Sequence, residues 1–181
     1  MGREAASRPI VLGANVNDVA TAEGQALASS PVDDVVIADF DRDGDVAGCV
    51  AVYVDAFATP PWNEQWPEAT ARDRLLEIAD TPGSVLLVAR NHDRVLGLLA
   101  GYVETFHPAD RFQLAELAVD PDHRRRGIAG GLVAELVDRL TGGGIAEIFL
   151  ITGTAEPARQ FWQTQSFVES QGRTVMVRRS A

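Results

Sequence analysis

The stretch FQLAELAVDPDHRRRGIAGGLVAELVDRL, residues 112–140, decides the fold of this chain. Residues 112–119 form an alternating pattern that predicts a strand, and residues 128–140 predict an amphipathic helix. A Pro-Asp turn, an arginine triplet and a glycine- and alanine-rich turn lie between them, and we call residues 120–127 the arginine loop. The start of a helix exposes unpaired backbone N–H groups, and guanidinium groups add positive charge. This order of elements therefore favours a pyrophosphate site.

The predicted helix after the arginine loop has an unusual first turn. Gly127, Gly130 and Gly131 stand there, although each glycine costs up to ~1 kcal/mol of helix propensity. Small residues are favoured where a ligand must approach the backbone closely. Apolar residues at helical spacing form one stripe along the rest of the helix: Ile128, Leu132, Val133, Leu136, Val137 and Leu140.

Two other kinds of phosphate loop do not match this stretch. The chain has no Gly-x-x-x-x-Gly-Lys-Ser/Thr motif, so a Walker loop is excluded. A dinucleotide fingerprint requires Gly-x-Gly-x-x-Gly directly after a strand. Here a polar turn intervenes, and Ala129 replaces the second glycine.

Composition narrows the class of protein further. With 181 residues the chain is long enough for one domain with a sizeable core. Its net charge of −10 argues against nucleic acid as a partner. No apolar run reaches about 18 residues and no signal peptide is recognisable, so we expect no membrane span and a cytoplasmic location. The single cysteine, Cys49, excludes an internal disulfide.

The pattern along the chain predicts a weakly structured extension, residues 1–33, before one domain, residues 34–181. Asp41, Asp43 and Asp45 resemble a calcium loop, but the positions that require Gly and Glu hold Val46 and Val52. We therefore expect no metal, and we expect one of these aspartates to cap the next helix. Strands are predicted at residues 35–40, 84–90, 95–105, 112–119, 145–152, 168–169 and 174–178. Helices are predicted at residues 46–58, from 67 to about 81, at 128–140 and at 157–165.

Three segments resemble the GNAT superfamily of N-acetyltransferases. They are Glu116-Leu-Ala-Val119-x-Pro121, Arg124-x-x-Gly127-x-Ala129, and Ala158-x-x-Phe161-Trp162-x-x-x-Ser166-Phe167. The resemblance covers roughly residues 35–178 and identifies residues 34–181 as an N-acetyltransferase domain. It implies an α/β (α+β) acyl-CoA N-acyltransferase fold, with a single mixed central sheet and helices on both faces. The element order is then β-α-α-β-β-β-α-β-α-β-β.

The resemblance also implies acetyl-CoA as a cosubstrate. Backbone groups of Leu117, Ala118 and Val119 would pair with the pantetheine arm, because in this family the strand splays from its neighbour there. The amides of residues 125–130 would bind the pyrophosphate, and the three arginines would add charge. The residues assigned to acetyl-CoA are therefore Leu117, Ala118, Val119, Arg124, Arg125, Arg126, Gly127, Ile128, Ala129, Gly130, Phe161 and Trp162. Homodimers are common in the family, so a homodimer is an open expectation.

The implied reaction is direct attack of an amine on the thioester. Glu116 is the candidate base, directly or through a water, because an alkylammonium group with a pKa of about 10 must first lose a proton. Many family members carry a tyrosine acid where this chain has Trp162, whose indole cannot serve as an acid. Tyr102 is the candidate replacement, with His107 and solvent as alternatives.

The acceptor is the least determined part of the reaction. Trp62, Glu64, Trp66 and Glu68 form what we call the aromatic–acidic patch, which predicts binding of a small cationic amine. The alternative is that both tryptophans fill a gap between helices. A different function also stays open, that of an acyl-CoA-binding regulator or scaffold with little transfer activity. Trp162 favours it, and so does Ala155, which stands where many family members have Asn. Transfer to oxygen is a third alternative.

Overall fold

The computed structural model describes residues 10–11, 35–154 and 156–178. The strands are β1 (Ile10–Val11), β2 (Val35–Asp39), β3 (Ser84–Asn91), β4 (Arg94–Glu104), β5 (Arg111–Val119) and β6 (Glu147–Phe149). The helices are α1 (Val46–Ala58), α2 (Glu68–Ala79), α3 (Ile128–Leu140) and α4 (Glu156–Thr164), with a 3₁₀ turn at Pro121–His123. The strands follow chain order across one sheet. All neighbours are antiparallel except β5 and β6, which are parallel.

Helices cover both faces of this sheet, as predicted. Leu98 of β4 belongs to a buried cluster with α1 and α2. The adjacent Gly97 faces α3, because a Cβ there would lie 2.9 Å from Cγ2 of Ile128. Consecutive strand residues point to opposite faces, so the two helical layers lie on opposite sides. The mixed sheet with its two helical layers confirms the predicted fold class.

The strand before the arginine loop is irregular on both edges. On one edge, Ala100 of β4 pairs with Glu116 and Gly101 pairs with Leu114, so β5 contains an extra residue at Ala115. On the other edge, the ladder with β6 covers only residues 111–113. Within the described sheet, the β6-facing edge of β5 is therefore unpaired from residue 114 onward.

The chain divides into two compact units at Leu150 and Ile151. In the second unit, the ring of Trp162 lies 4.9 Å from that of Phe161 and 5.1 Å from that of Phe167. Arg159 forms an ion pair with Glu169. This packing links α4 to the residues that follow it.

The predicted closing hairpin is wrong for the described residues. Residues 165–178 form no strand, so the last two strands of the predicted element order are missing. Val168 is 89% exposed and Met176 is 90% exposed, so neither segment has a buried face to favour pairing. The predicted strand at 145–152 is also shorter, at Glu147–Phe149.

Two expectations concern the N-terminal extension and the start of α1. The extension, residues 1–33, lies outside the described residues except for Ile10–Val11, which pairs with β2. Asp45 occupies the N-cap of α1 but makes no side-chain capping bond. Its carboxylate instead accepts from the Asp41 amide at 2.7 Å and from Arg90 at 2.7 Å. The prediction that an aspartate side chain caps α1 is therefore wrong for Asp45.

None of the helices in the described ranges is long and apolar enough to cross a membrane.

Candidate active site

The arginine loop begins with a turn held by Asp120. The Asp120 carboxylate accepts from the Asp122 amide at 2.9 Å and from Arg94 at 2.7 Å, and it lies 3.1 Å from His123. Burial acts to raise the pKa of Asp120, but these three partners together hold it below its usual value. The turn is therefore fixed by a charged side chain at the end of β5.

The end of the arginine loop opens onto the first turn of α3. Arg125 and Gly127 have left-handed backbones, with φ of 62° and 81°, and α3 begins at Ile128. The Gly127 carbonyl accepts from the Gly131 amide at 2.9 Å. The amides of residues 128–130 therefore have no hydrogen-bond partner within the helix. A Cβ added at Gly127 would meet nothing within 4 Å, so there is open space for an anion beside these amides.

The three predicted arginines are exposed, and two of them donate hydrogen bonds to other residues of the protein. Arg124 donates from Nη2 to the Ala56 carbonyl at 3.0 Å and to Thr59 Oγ1 at 2.8 Å. Arg126 donates to the Asp122 carbonyl at 3.2 Å. These contacts shape the loop, and the remaining guanidinium nitrogens still contribute positive charge beside it.

The unpaired edge of β5 leads straight into this loop. In an antiparallel pair, alternate residues direct their N–H and C=O groups away from the partner strand. Between residues 114 and 119 these groups point to the edge that β6 leaves open. Leu117, Ala118 and Val119, the residues predicted to pair with pantetheine, lie on this open segment.

Glu116 is buried on the α1 and α2 side of β5. It is 8% exposed and accepts from Arg74 Nε at 2.9 Å, and Tyr53 is close enough to influence its charge. Burial is the largest influence and raises its pKa, while Arg74 and Tyr53 counteract the rise and the nearby Glu64 adds to it. Burial and the Glu116 charge likewise raise the pKa of Tyr53. A carboxylate with a raised pKa suits a general base.

Sequence reasoning missed Tyr53 and Arg74. Tyr53 lies on α1 and Arg74 on α2, far from Glu116 along the chain. The one available signal was a polar side chain at an otherwise inward-facing position of each helix. That signal does not identify the partner.

The aromatic–acidic patch lies next to this carboxylate. Trp66 meets Tyr53 edge-on, with ring centroids 5.2 Å apart, and its Nε1 donates to Glu64 at 2.7 Å. Phe57 joins the group at 4.5 Å from Tyr53 and 5.9 Å from Trp62. Glu68 is exposed at the start of α2. Tyr53 therefore connects the predicted acceptor residues to the predicted base.

Comparison of the sequence with known protein families identifies the family of this chain. The model of the Acetyltransferase (GNAT) family matches residues 52–167. This chain belongs to the GNAT family. The matched range includes the acceptor segment, Glu116 and the whole arginine loop, which confirms the family predicted from the sequence.

Individual relatives match parts of the chain. N-acetyltransferase 8 from Homo sapiens is 31% identical over 118 residues, which cover 61% of this GNAT chain and 51% of the relative. Mycothiol acetyltransferase from Saccharopolyspora erythraea is 50% identical over 64 residues, covering 34% of this chain and 20% of that protein. The matched stretches thus span about half of the first relative and a fifth of the second.

A solved structure extends the likeness to the whole fold. An aminoglycoside acetyltransferase from an uncultured soil metagenomic sample superposes with a TM-score of 0.59 at 25% identity. The superposition covers 81% of this GNAT chain and 98% of the other. The superposed part of the chain therefore shares its fold with that protein.

Three further predicted residues lie elsewhere in this GNAT chain. The Tyr102 hydroxyl donates to Gln113 Oε1 at 2.8 Å. Tyr102 therefore contacts β5 at Gln113 and not at the predicted base, Glu116. Phe161 and Trp162 lie in the second unit, and their role toward acetyl-CoA stays a prediction. Within the described ranges, no group of three or more His, Cys, Asp or Glu side chains is arranged to hold a metal ion.

Proposed function

We propose that this protein transfers an acetyl group from acetyl-CoA to a primary amine of a small cationic acceptor. One observation carries the proposal: the strand that holds buried Glu116 also leads directly into the arginine loop. A candidate base and an anion-binding helix start therefore lie on one continuous segment. Membership of the GNAT family supports the same reaction class.

Acetyl-CoA supplies the thioester carbonyl that the amine attacks. The backbone amides of residues 125–130, which include the first residues of α3, bind the pyrophosphate with help from the helix dipole. The open edge of β5 at residues 117–119 pairs with the pantetheine arm and presents N–H groups to the carbonyl oxygen. Space beside Gly127 and the unpaired edge both fit this ligand.

Glu116 accepts the proton from the amine, directly or through a water. An alkylammonium with a pKa of about 10 is almost entirely charged at neutral pH, so a base is required. Burial raises the pKa of Glu116 while Arg74 acts to lower it, and a carboxylate with a raised pKa suits a general base. The electron pair freed on nitrogen then forms the new C–N bond, the C–S bond breaks as the CoA thiolate leaves, and the nitrogen releases its second proton to solvent.

The aromatic–acidic patch binds the cationic acceptor. Trp62 is 36% exposed and offers an aromatic face, while Glu64 adds negative charge beside it. The aminoglycoside acetyltransferase with the shared fold is named for a polycationic acceptor class. Together these observations favour a cation over a neutral acceptor.

Tyr102 is the proposed acid that protonates the departing thiolate. A general acid contributes about 10²–10⁴ in rate. We expect Tyr102→Phe to lower kcat by that factor and Trp162→Phe to leave kcat unchanged. If neither variant changes kcat, solvent is the proton donor, since a thiol pKa of about 8.5 makes thiolate a fair leaving group.

A thiol-release assay tests the proposal. The protein is mixed with acetyl-CoA and a panel of amines, and CoA thiol is followed with Ellman's reagent. Cys49 does not interfere, because burial raises the pKa of its thiol to about 12 and shields it. Amine-dependent release supports the proposal. Saturable acetyl-CoA binding without release from any amine or alcohol would instead support the acyl-CoA-binding regulator, the alternative that Trp162 favours.

A further inference from the structure

The arginine loop contacts the end of α1, at the start of the segment that carries the patch. Arg124 Nη2 donates to the Ala56 carbonyl at 3.0 Å and to Thr59 Oγ1 at 2.8 Å. Thr59 Oγ1 itself donates to the Ala56 carbonyl at 2.8 Å. Arg124 therefore caps the C-terminal end of α1, where carbonyls lack intrahelical partners.

Thr59 also organises the segment that follows it, residues 59–67, which we call the acceptor loop. Its carbonyl accepts from the amides of Trp62 and Asn63, both at 3.2 Å. The Glu64 amide donates to the Phe57 carbonyl at 2.9 Å. These bonds set the direction of the chain at Trp62 and Glu64. Thr59 therefore connects Arg124, through its side chain, to the backbone of Trp62, through its carbonyl.

We infer that Arg124 is a positioning residue that couples the arginine loop to the acceptor loop through Thr59. The inference rests on the proposed function and extends it. Arg124 is then more than a source of charge for the pyrophosphate. An anion that orders residues 124–127 restricts the Arg124 side chain, and Arg124 in turn restricts Thr59. Binding at one loop therefore changes the surroundings of Trp62 at the other.

Fluorine NMR on protein labelled with 5-fluorotryptophan tests the coupling. The Trp62 resonance is assigned from the Trp62→Phe variant. Acetyl-CoA is titrated first, and its Kd is measured by calorimetry. The second probe is adenosine 3′-phosphate 5′-diphosphate, the part of CoA that lacks the pantetheine arm. A Trp62 response to saturating second probe cannot arise from contact with pantetheine or the acetyl group.

The variants change the two partners of the Arg124–Thr59 contact separately. Thr59→Val is isosteric and removes the hydroxyl, Thr59→Ser restores it, and Arg124→Met removes the guanidinium. Thr141→Val is the matched control. Thr141 is likewise a C-cap threonine, and its hydroxyl donates to the Val137 carbonyl at 2.8 Å, at the far end of α3.

We expect Thr59→Val to lower the Trp62 response while the affinity for acetyl-CoA changes little. In Thr59→Val, the acetyl-CoA Kd changes less than about threefold while the Trp62 response to both probes falls by more than about half. Thr59→Ser and Thr141→Val respond like the wild type. Combining Arg124→Met with Thr59→Val lowers the Trp62 response no further than Arg124→Met alone, because Arg124→Met already removes the Arg124–Thr59 contact.

Three results overturn the inference. An unchanged Trp62 response in Thr59→Val, with acetyl-CoA still bound, removes the coupling but leaves the proposed function intact. A wild-type response to acetyl-CoA that is absent with the saturating shorter probe shows direct contact instead of coupling. A wild-type protein that binds neither probe removes the proposed function, and the inference with it.

Discussion

The arginine loop and the aromatic–acidic patch are built from different parts of the chain. The loop consists of consecutive residues, and its binding groups are backbone amides at the start of α3. The patch and Glu116 come together from α1, the acceptor loop, α2 and β5, and their chemistry lies in side chains. A backbone site needs small residues and one backbone geometry, whereas a side-chain site needs tertiary packing.

This difference predicts how each region responds to substitution. The loop tolerates changes of arginine charge better than a bulky side chain at Gly127, where φ is 81°. In the side-chain site, loss of one group alters its neighbours, because Arg74 donates to Glu116 and Tyr53 influences the charge of the same carboxylate. Substitutions in the two regions should therefore separate binding of acetyl-CoA from chemistry.

The largest expected effect is at Glu116. With the best amine from the panel, Glu116→Gln should lower kcat/KM by about 10²–10⁴, because it removes the base. The acetyl-CoA Kd from calorimetry should not change. Glu77→Gln is the matched control, because Glu77 also faces Arg74, at 3.8 Å, but is exposed. Equal kcat/KM in Glu116→Gln and wild type would remove Glu116 from the chemistry.

An intermediate effect is expected at Arg74, and it appears in the pH profile. Arg74 lowers the pKa of Glu116, so Arg74→Met should raise this pKa further. The acidic limb of kcat/KM should move to higher pH, because an adjacent opposite charge that favours the ionised carboxylate is lost. An acidic limb that stays in place would show that another group titrates there.

The same variant changes stability with a definite sign. A carboxyl whose folded pKa is raised contributes most stability below its unfolded pKa. That contribution is lost as pH rises through the folded pKa. Relative to wild type, Arg74→Met should therefore lose stability as pH rises from about 4 toward neutrality. Urea unfolding across this range measures the loss, and a constant difference between the two proteins would contradict it.

The smallest effect is expected at Trp62. A cation–π contact contributes about 0.5–2 kcal/mol, so Trp62→Leu should raise KM for a cationic amine by about 2- to 30-fold. Steady-state kinetics should show little change in kcat. Phe106→Leu is the control, because Phe106 is also an exposed aromatic residue but lies against Arg111. A KM that rises equally in both variants would remove the patch from acceptor binding.

Local sequence was sufficient to predict the loop and its neighbouring elements. The alternating strand and the apolar stripe of α3 are properties of consecutive residues. The helices α1 and α4 were also predicted within one residue. In these elements, short-range spacing and turn chemistry determine the structure.

Long-range packing determines what could not be predicted. Arg74 reaches Glu116 across 42 residues of chain, and Arg124 reaches Ala56 across 68. No spacing rule connects such pairs. The predicted closing hairpin was wrong because apolar alternation alone does not supply a buried face, and Val175 is 61% exposed. Prediction of side-chain partners requires the tertiary structure.

Calorimetry with a pair of glycine variants tests the central claim most directly. Gly127 and Gly142 share a φ of 81°, and a Cβ at either would meet nothing within 4 Å. Gly127→Glu and Gly142→Glu therefore impose the same backbone strain, but only the first places a carboxylate beside the proposed pyrophosphate amides. We predict that the wild type and Gly142→Glu bind acetyl-CoA while Gly127→Glu does not. Equal affinity in all three proteins, or no binding to the wild type, would contradict the account.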